Sequence, residues 1–233
     1  MNKTDIMKKN DFIEIDFTAK IKDGEVFDST LKKELEKLHI GHEHPINSKP
    51  FIFSLGNKMF LQSIDDFLIG KEIGKNYEIE LAPEKAFGKR NPQLIKIIPL
   101  SAFKTQKYQP QVGMTFNFDG QIAKILSVSG GRIISDFNNP LAGKDVIYYI
   151  SVKRKVVDID EKVKSLIDFL FRKEFKFKIN KTELEIILEE SEKQYKQFIE
   201  LFKDKFKEIL NMNLTVYSPD STKKPDKKIQ SDK

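Results

Sequence analysis

From Ile13 to Ile21 the chain alternates without a slip. Ile13, Ile15, Phe17, Ala19 and Ile21 fall on one face, and Glu14, Asp16, Thr18 and Lys20 on the other, which predicts a half-buried strand. Asp23-Gly24 then offers a dipeptide that tolerates positive φ in a two-residue turn, and the register of such a hairpin pairs Ile21 with Val26 and Ala19 with Asp28. A carboxylate therefore lands on the apolar face, where it costs several kcal/mol unless water or donors reach it. Three readings remain open for Asp28: a break in the strand solvates it, it caps a turn ahead of Ser29-Thr30, or it is held in a site.

The run from Leu31 to Lys49 is charged, with Leu31, Leu35 and Leu38 spaced for a turn or two of helix on the surface. Pro50 to Gly56 predicts the next strand. Phe60, Ile64, Phe67 and Leu68 follow at i, i+4, i+7 and i+8 and stop at Gly70, a short helix with one buried face. Tyr77, Ile79 and Leu81 alternate with Glu78 and Glu80, and Val146, Tyr148, Ile150 and Val152 make a strand apolar enough to lie inside a sheet. Strand, strand, short helix, strand is an α+β pattern.

Between these last two strands the character changes. From Lys89 the chain carries prolines and isolated apolar residues without helical period, then turn dipeptides at Asp119-Gly120 and Gly130-Gly131 that frame a strand pattern at Ile122, Ile125, Leu126 and Val128, resuming at Ile133-Ile134. This is a small β-rich segment. Beyond Val157, Val163, Leu166, Ile167, Leu170 and Phe171 predict a helix. Phe175, Phe177 and Ile179 predict a strand, and Leu184, Ile186 and Leu188 its partner. Tyr195, Phe198, Ile199, Phe202, Phe206, Ile209 and Leu210 predict one longer helix, and Leu214, Val216 and Tyr217 a last strand. The order is α-β-β-α-β. An aromatic stripe of this spacing reads as core. The tail from Ser218 has almost nothing to bury and is expected to be a disordered, solubilising extension, with weak contact to RNA or the ribosome as the lesser alternative.

Composition narrows the chemistry. The 233 residues are 39% hydrophobic and 33% charged, a globular mix, with neither cysteine nor tryptophan. Disulfides, thiolate catalysis and cysteine zinc sites are excluded. The net charge of +6 is dispersed, and arginine occurs only at positions 90, 132, 154 and 172, so no nucleic-acid surface is expected. The first residues lack an apolar signal-peptide core and no stretch is long enough to span a bilayer, so neither membrane association nor secretion is expected and a cytosolic location is. His39, His42 and His44 lie close together, but the spacing fits no helical ligand pair and runs into Pro45. A solvated loop is expected there, with no metal and no cofactor.

Four motifs, DGEVFDST (Asp23 to Thr30), PFIFSLG (Pro50 to Gly56), PEKAFG (Pro83 to Gly88) and NNPLAGKDV (Asn138 to Val146), occur in this order. In order and spacing the chain resembles the FKBP-type peptidyl-prolyl cis-trans isomerases, and within them the SlyD-like branch in its long archaeal form. The resemblance implies an antiparallel sheet wrapped on a short helix over residues 1–88 and 137–157, an inserted β-rich chaperone-like domain at 89–136, a C-terminal α-β-β-α-β domain at 158–217 and a tail at 218–233. It implies isomerisation of Xaa-Pro bonds in unfolded or nascent polypeptides, captured by the insert through exposed apolar surface. The alternative is a chaperone on the same scaffold with little or no catalysis.

Carried over residue by residue, the resemblance places Phe17, Phe27, Asp28, Phe51, Phe60, Leu61, Ile64, Phe87 and Tyr148 at the proline site. Phe27, Phe51, Ile64 and Tyr148 would cradle the ring, Leu61 would present a backbone N–H to the substrate carbonyl, and Asp28 would set the field at the twisting amide. The chain departs from the family pattern at Phe17 and Phe87, both commonly tyrosine. It departs again at Leu61-Gln62-Ser63, where the family has Ile-Pro-Gly, and at Asn139, where SlyD-like proteins usually carry histidine.

Overall fold

The computed structural model describes residues 5–38, 48–103, 109–118 and 120–218. His39, His42 and His44, Asp119 and the residues after Ser218 lie outside the described residues. The structure is α+β, as the sequence predicts. The chain forms two units, one from Met1–Ile15, Pro50–Lys75 and Val152–Lys233, the other from Asp16–Lys49 and Asn76–Ser151.

The alternating stretch is strand β1 (Phe12–Ile21), and Ile13, Ile15, Phe17 and Ala19 are buried as the alternation requires. It belongs to a five-stranded sheet ordered β2-β1-β9-β4, in which β3 also pairs with β1; the others are β2 (Val26–Ser29), β3 (Phe51–Ser54), β4 (Asn76–Leu81) and β9 (Val146–Val156). β9 lies between two neighbours, and Val146, Ile147, Tyr148, Ile150 and Val152 are all buried. A strand covered on both faces needs that composition.

The first hairpin departs from the expected register. Ala19 does pair with Asp28, but Lys20, not Ile21, pairs with Val26. Phe27 is thus the extra residue of a β-bulge, which breaks the alternation of side chains and twists the strand. The turn is longer than two residues because the Ile21 N–H closes on Glu25 O (3.0 Å) while the Lys22 N–H donates to Asp145 O (2.9 Å). Gly24 does not use positive φ, and a Cβ there would sit 3.0 Å from Cβ of Ile21. Asp28 consequently lies on edge strand β2 with part of its surface open to solvent, while its carboxylate is partly withdrawn from water.

In the same unit the residues after Gly88 form a separate four-stranded antiparallel sheet ordered β5-β8-β7-β6, with β5 (Ile95–Pro99), β6 (Thr115–Phe118), β7 (Gln121–Ser129) and β8 (Arg132–Asp136). β5 is not among the predicted strands, because Pro92 and Pro99 bracket it and mask its short pattern. One face holds the core: Phe103, Ile125 and Ile133, with Ile98, Phe116 and Phe118 packed against them, and Phe103 meets Phe116 and Phe118 edge-on at 4.9 and 5.0 Å. The other face stays bare. Ile97 pairs with Ile134 across the strands, and Ile97 is 64% and Ile122 68% exposed.

The short surface helix α1 (Lys32–Leu38) buries nothing. In the first unit, α2 (Gln62–Leu68) buries Ile64 and Leu68, while Phe60 precedes the helix instead of belonging to it. The C-terminal part runs α3 (Ile159–Phe171), β10 (Lys176–Asn180), β11 (Glu183–Ile187), a 3₁₀ turn (Glu190–Tyr195), α4 (Lys196–Glu200), α5 (Lys203–Leu210) and β12 (Asn213–Tyr217). β11 pairs antiparallel with β10 and parallel with β12. The single long helix expected over 195–210 is therefore three short pieces. The Leu201 and Phe202 N–H groups reach back only three residues, to Phe198 O and Ile199 O, which tightens the chain at the break. The break sets Phe202 edge-on to Phe171 at 5.3 Å and leaves Phe198 47% exposed. Among the described residues no helix is long and apolar enough to cross a membrane.

Candidate functional site

The sequence-predicted residues gather in two clusters, one in each unit. In the second unit the bulge governs the arrangement. A regular strand would send Phe27 and Asp28 to opposite faces. With the bulge at Phe27, its ring stands edge-on to Phe87 (5.6 Å, 85°) and to Tyr148 (6.1 Å, 81°), and Phe17 lies 6.1 Å from Tyr148 at a 36° tilt. Edge-to-face pairs of this kind are worth about 0.5–1.5 kcal/mol each beyond area burial. Four aromatic rings from β1, β2, β9 and the turn after β4 thus form a wall beside Asp28.

The placement has electrostatic consequences. Water loss beside this wall raises the Asp28 pKa above the ordinary aspartate value, opposed by the Ser29 N–H that hydrogen-bonds the carboxylate. Tyr148 is 2% exposed, and burial first, then the Asp28 charge, raises its pKa far above the usual phenol value, so it stays a neutral hydroxyl.

Two site-supporting residues, Ser29 and Thr30, escaped the sequence reading, which named them only as the residues behind a turn-capping Asp28. Both are buried. The Phe17 N–H donates to Thr30 Oγ1 (2.9 Å), Ser29 Oγ donates to Phe17 O (3.0 Å), the Thr30 N–H donates to the same carbonyl (3.0 Å), and the hydroxyls of Thr18 and Ser29 share a bond of 2.9 Å. These bonds fix β2 on β1 where the bulge would otherwise loosen it. The signal was the Ser-Thr pair directly behind the aspartate.

In the first unit, Phe51 stacks on Phe53 (5.1 Å, 11°), and Phe60 meets Phe51 at 5.3 Å and Phe53 at 5.5 Å. Phe53 was not among the predicted site residues. Leu61 is the N-cap of α2 in an extended conformation, and Ile64 is fully buried one turn on. The Leu61 carbonyl accepts from Ile64 and Asp65 (2.9 and 3.1 Å). The departure at Gln62-Ser63 leaves the helix start intact, since helix N-termini need no particular side chain at N1 and N2.

Asp65 on α2 is buried to 1% exposure; its Oδ2 accepts from the Gly56 N–H at 3.0 Å, while Oδ1 has no partner among the described residues. Burial pushes its pKa from 3.8 up to about 6, against the pull of the Gly56 and Lys58 N–H groups. A carboxyl whose folded pKa is raised binds its proton more tightly in the folded state, so its contribution is fully present below pH 3.8 and is lost as pH rises through about 6. The loss is about 3 kcal/mol on the scale of about 1.4 kcal/mol per pKa unit. Asp65→Asn does not titrate. Its stability relative to the parent should grow by about 2.4 kcal/mol between pH 4 and pH 7.5 in urea unfolding, whereas a pH-independent difference would show that Asp65 does not titrate there.

Comparison with known proteins agrees with this geometry. Residues 3–104 match the family model for FKBP-type peptidyl-prolyl cis-trans isomerase, and residues 96–141 match the model described as FKBP26, IF domain. The chain is 30% identical over 148 residues to the short-type peptidyl-prolyl cis-trans isomerase of Methanocaldococcus jannaschii, covering 64% of this chain and 93% of that protein. It is 29% identical over 151 residues to the FKBP-type 16 kDa peptidyl-prolyl cis-trans isomerase of Escherichia coli K12, covering 63% of this chain and 91% of the relative. To the FKBP-type peptidyl-prolyl cis-trans isomerase SlyD of Vibrio cholerae it is 28% identical, over 63% of this chain and 67% of the relative.

Proposed function

Because this chain belongs to the family of FKBP-type peptidyl-prolyl cis-trans isomerases, with a SlyD-like relationship, we propose that it isomerises Xaa-Pro bonds of unfolded or nascent polypeptides captured by the sheet β5-β8-β7-β6. The activity is that of the family. Rotation about an Xaa-Pro bond must break amide resonance, a barrier of about 18–20 kcal/mol. No nucleophile is needed. A water-poor aromatic wall disfavours the dipolar planar amide and holds the twisted form better than either planar one. The observation that carries the site assignment is the ring set Phe17, Phe27, Phe87 and Tyr148 packed beside Asp28.

In this reading Phe27 and Tyr148 grip the prolyl ring, and the Asp28 carboxylate favours the charge distribution of the twisted amide. Phe17 and Phe87 supply wall without hydroxyls. The roles expected of Phe51, Phe60, Leu61 and Ile64 are part of the same proposal, as are the domain limits at 89–136 and 158–217 and a cytosolic location. Capture by the insert is supported by its bare face. Ile97, Ile122 and Ile134 stand on the side of the sheet away from the Phe103 core, with Ile97 and Ile134 paired side by side, and exposed apolar side chains grouped on one face mark a binding surface.

The test is cis/trans exchange in a short Phe-Pro peptide, followed by NMR with a catalytic amount of protein. Clear acceleration is expected, and would mean that phenylalanine suffices at positions 17 and 87. No acceleration by folded protein would leave a peptide-holding chaperone on an isomerase scaffold.

A further inference from the structure

Within this unit the chain leaves for the insert through Gly88 to Leu94 and returns through Asp136 to Gly143, so the two covalent connections between insert and isomerase sheet run as adjacent segments. The regular ladder between β5 and β8 ends at Ile95 opposite Asp136, with one further bond from the Phe137 N–H to Leu94 O (2.9 Å). It cannot continue, because Pro92 lacks a donor and the chain turns as a 3₁₀ segment over Pro92–Leu94. The next backbone rung lies at the far end, where the Gly143 N–H donates to Gly88 O (2.8 Å).

The Asn138 side chain fills the gap. Its Oδ1 accepts from the Asn91 N–H (2.8 Å) and its Nδ2 donates to Asn91 O (3.0 Å), so the side-chain amide pairs with the Asn91 peptide group as a strand residue would. The same Nδ2 donates to Asp136 Oδ1 (2.7 Å), which also accepts from the Asn138 N–H (2.9 Å). Arg90 closes on the other Asp136 oxygen. The Asn138 and Arg90 contacts hold the Asp136 pKa below the ordinary aspartate value in spite of burial, so the cluster keeps its charge at neutral pH. The foot of this array is Gly88, the residue after Phe87.

We propose that Asn138 is a positioning residue: its amide, seated on Asn91 and held by Asp136 and Arg90, zips the two connections so that the insert is carried as a rigid arm in a fixed orientation to Phe87 and strands β4 and β9. Asparagine is required because the position must give and accept on one planar group. The ion pair alone does not suffice, since exposed pairs are weak and screened by salt. The inference rests on the capture reading for its consequence but not for its geometry. A rigid arm delivers a captured chain at a higher effective concentration than a loose one.

The test uses the full chain with Asn138→Ala and the isosteric Asn138→Asp, which keeps the shape but turns an acceptor toward Asp136 and Asn91 O. Backbone 15N relaxation should show the insert amides of both variants tumbling faster than those of β4 and β9, whereas in the parent they tumble together. Activity on a proline-limited refolding protein should fall about tenfold, with kcat/KM on a short peptide within about twofold of the parent. Unchanged tumbling in Asn138→Asp would overturn the clamp, and so would equal losses on both substrates. A merely stabilising residue would lower Tm and leave the ratio of the two activities unmoved. If the insert loosens but protein activity holds, the clamp stands and capture by the insert is what fails.

Discussion

Replacing Asp28 with alanine or asparagine should lower kcat/KM for an Xaa-Pro peptide by between about tenfold and about a hundredfold, the span given by about 1.5–3 kcal/mol for an interaction with a charged group. The carboxylate stands beside four aromatic rings, where water loss raises its pKa and its field reaches Tyr148. A field in water-poor surroundings acts more strongly on a rotating amide than the same charge in bulk water. Because the working form is ionised, activity should be lost as pH falls through a value above the ordinary aspartate pKa. The acid limb should vanish in Asp28→Asn. Protection of an aggregating protein should be little changed, since the bare isoleucine face of the insert is untouched. Peptide kinetics within twofold of the parent, in variants with the parent's Tm, would remove Asp28 from the mechanism and leave the aromatic wall to act alone.

Deleting residues 90–135 and joining the ends by a short loop should separate two substrates that the parent handles together. Proline-limited refolding of an unfolded protein should slow by about a hundredfold or more, because tethering a captured chain at millimolar effective concentration contributes that much without touching the chemistry. A short peptide has too little apolar length to use the exposed face, so its kcat/KM should stay within about threefold. Loss of the Gly88 to Gly143 connection would disturb Phe87 and lower both activities together, so the join must leave Gly88 and Gly143 in place. A deletion variant equally active on both substrates would mean that the bare face holds no client during turnover.

Much of this was legible in the sequence because it depends on local period. β1 has its inward residues where the alternation put them. β4, β9, α3, β10, β11 and β12 follow their patterns, since a buried face must repeat at the element's own period. Where the reading went wrong, the deciding contact came from far along the chain. The first hairpin slipped by one residue because Lys22 bonds to Asp145, more than a hundred positions away. The helix expected over 195–210 is broken at Leu201-Phe202, and the break brings Phe202 against Phe171, some thirty positions earlier in the chain.

For the site, the sequence determined which side chains are present: an aspartate behind a phenylalanine, aromatic residues at motif spacing, and no thiol. Tertiary structure decided how they are used. Phe27 and Asp28 are neighbours that a regular strand would part, and only the bulge, pinned by Ser29 and Thr30 on Phe17, lets the ring join the wall beside the carboxylate. Which isoleucines of the insert are core and which are bare was equally undecided. Ile133 and Ile134 are identical side chains one residue apart, and it is the pairing of Ile98 with one and Ile97 with the other that sends the first into the Phe103 core and the second to solvent. A pleated strand fixes that adjacent residues part company, but the register to its neighbour, set by contacts distant in sequence, fixes which of them is buried.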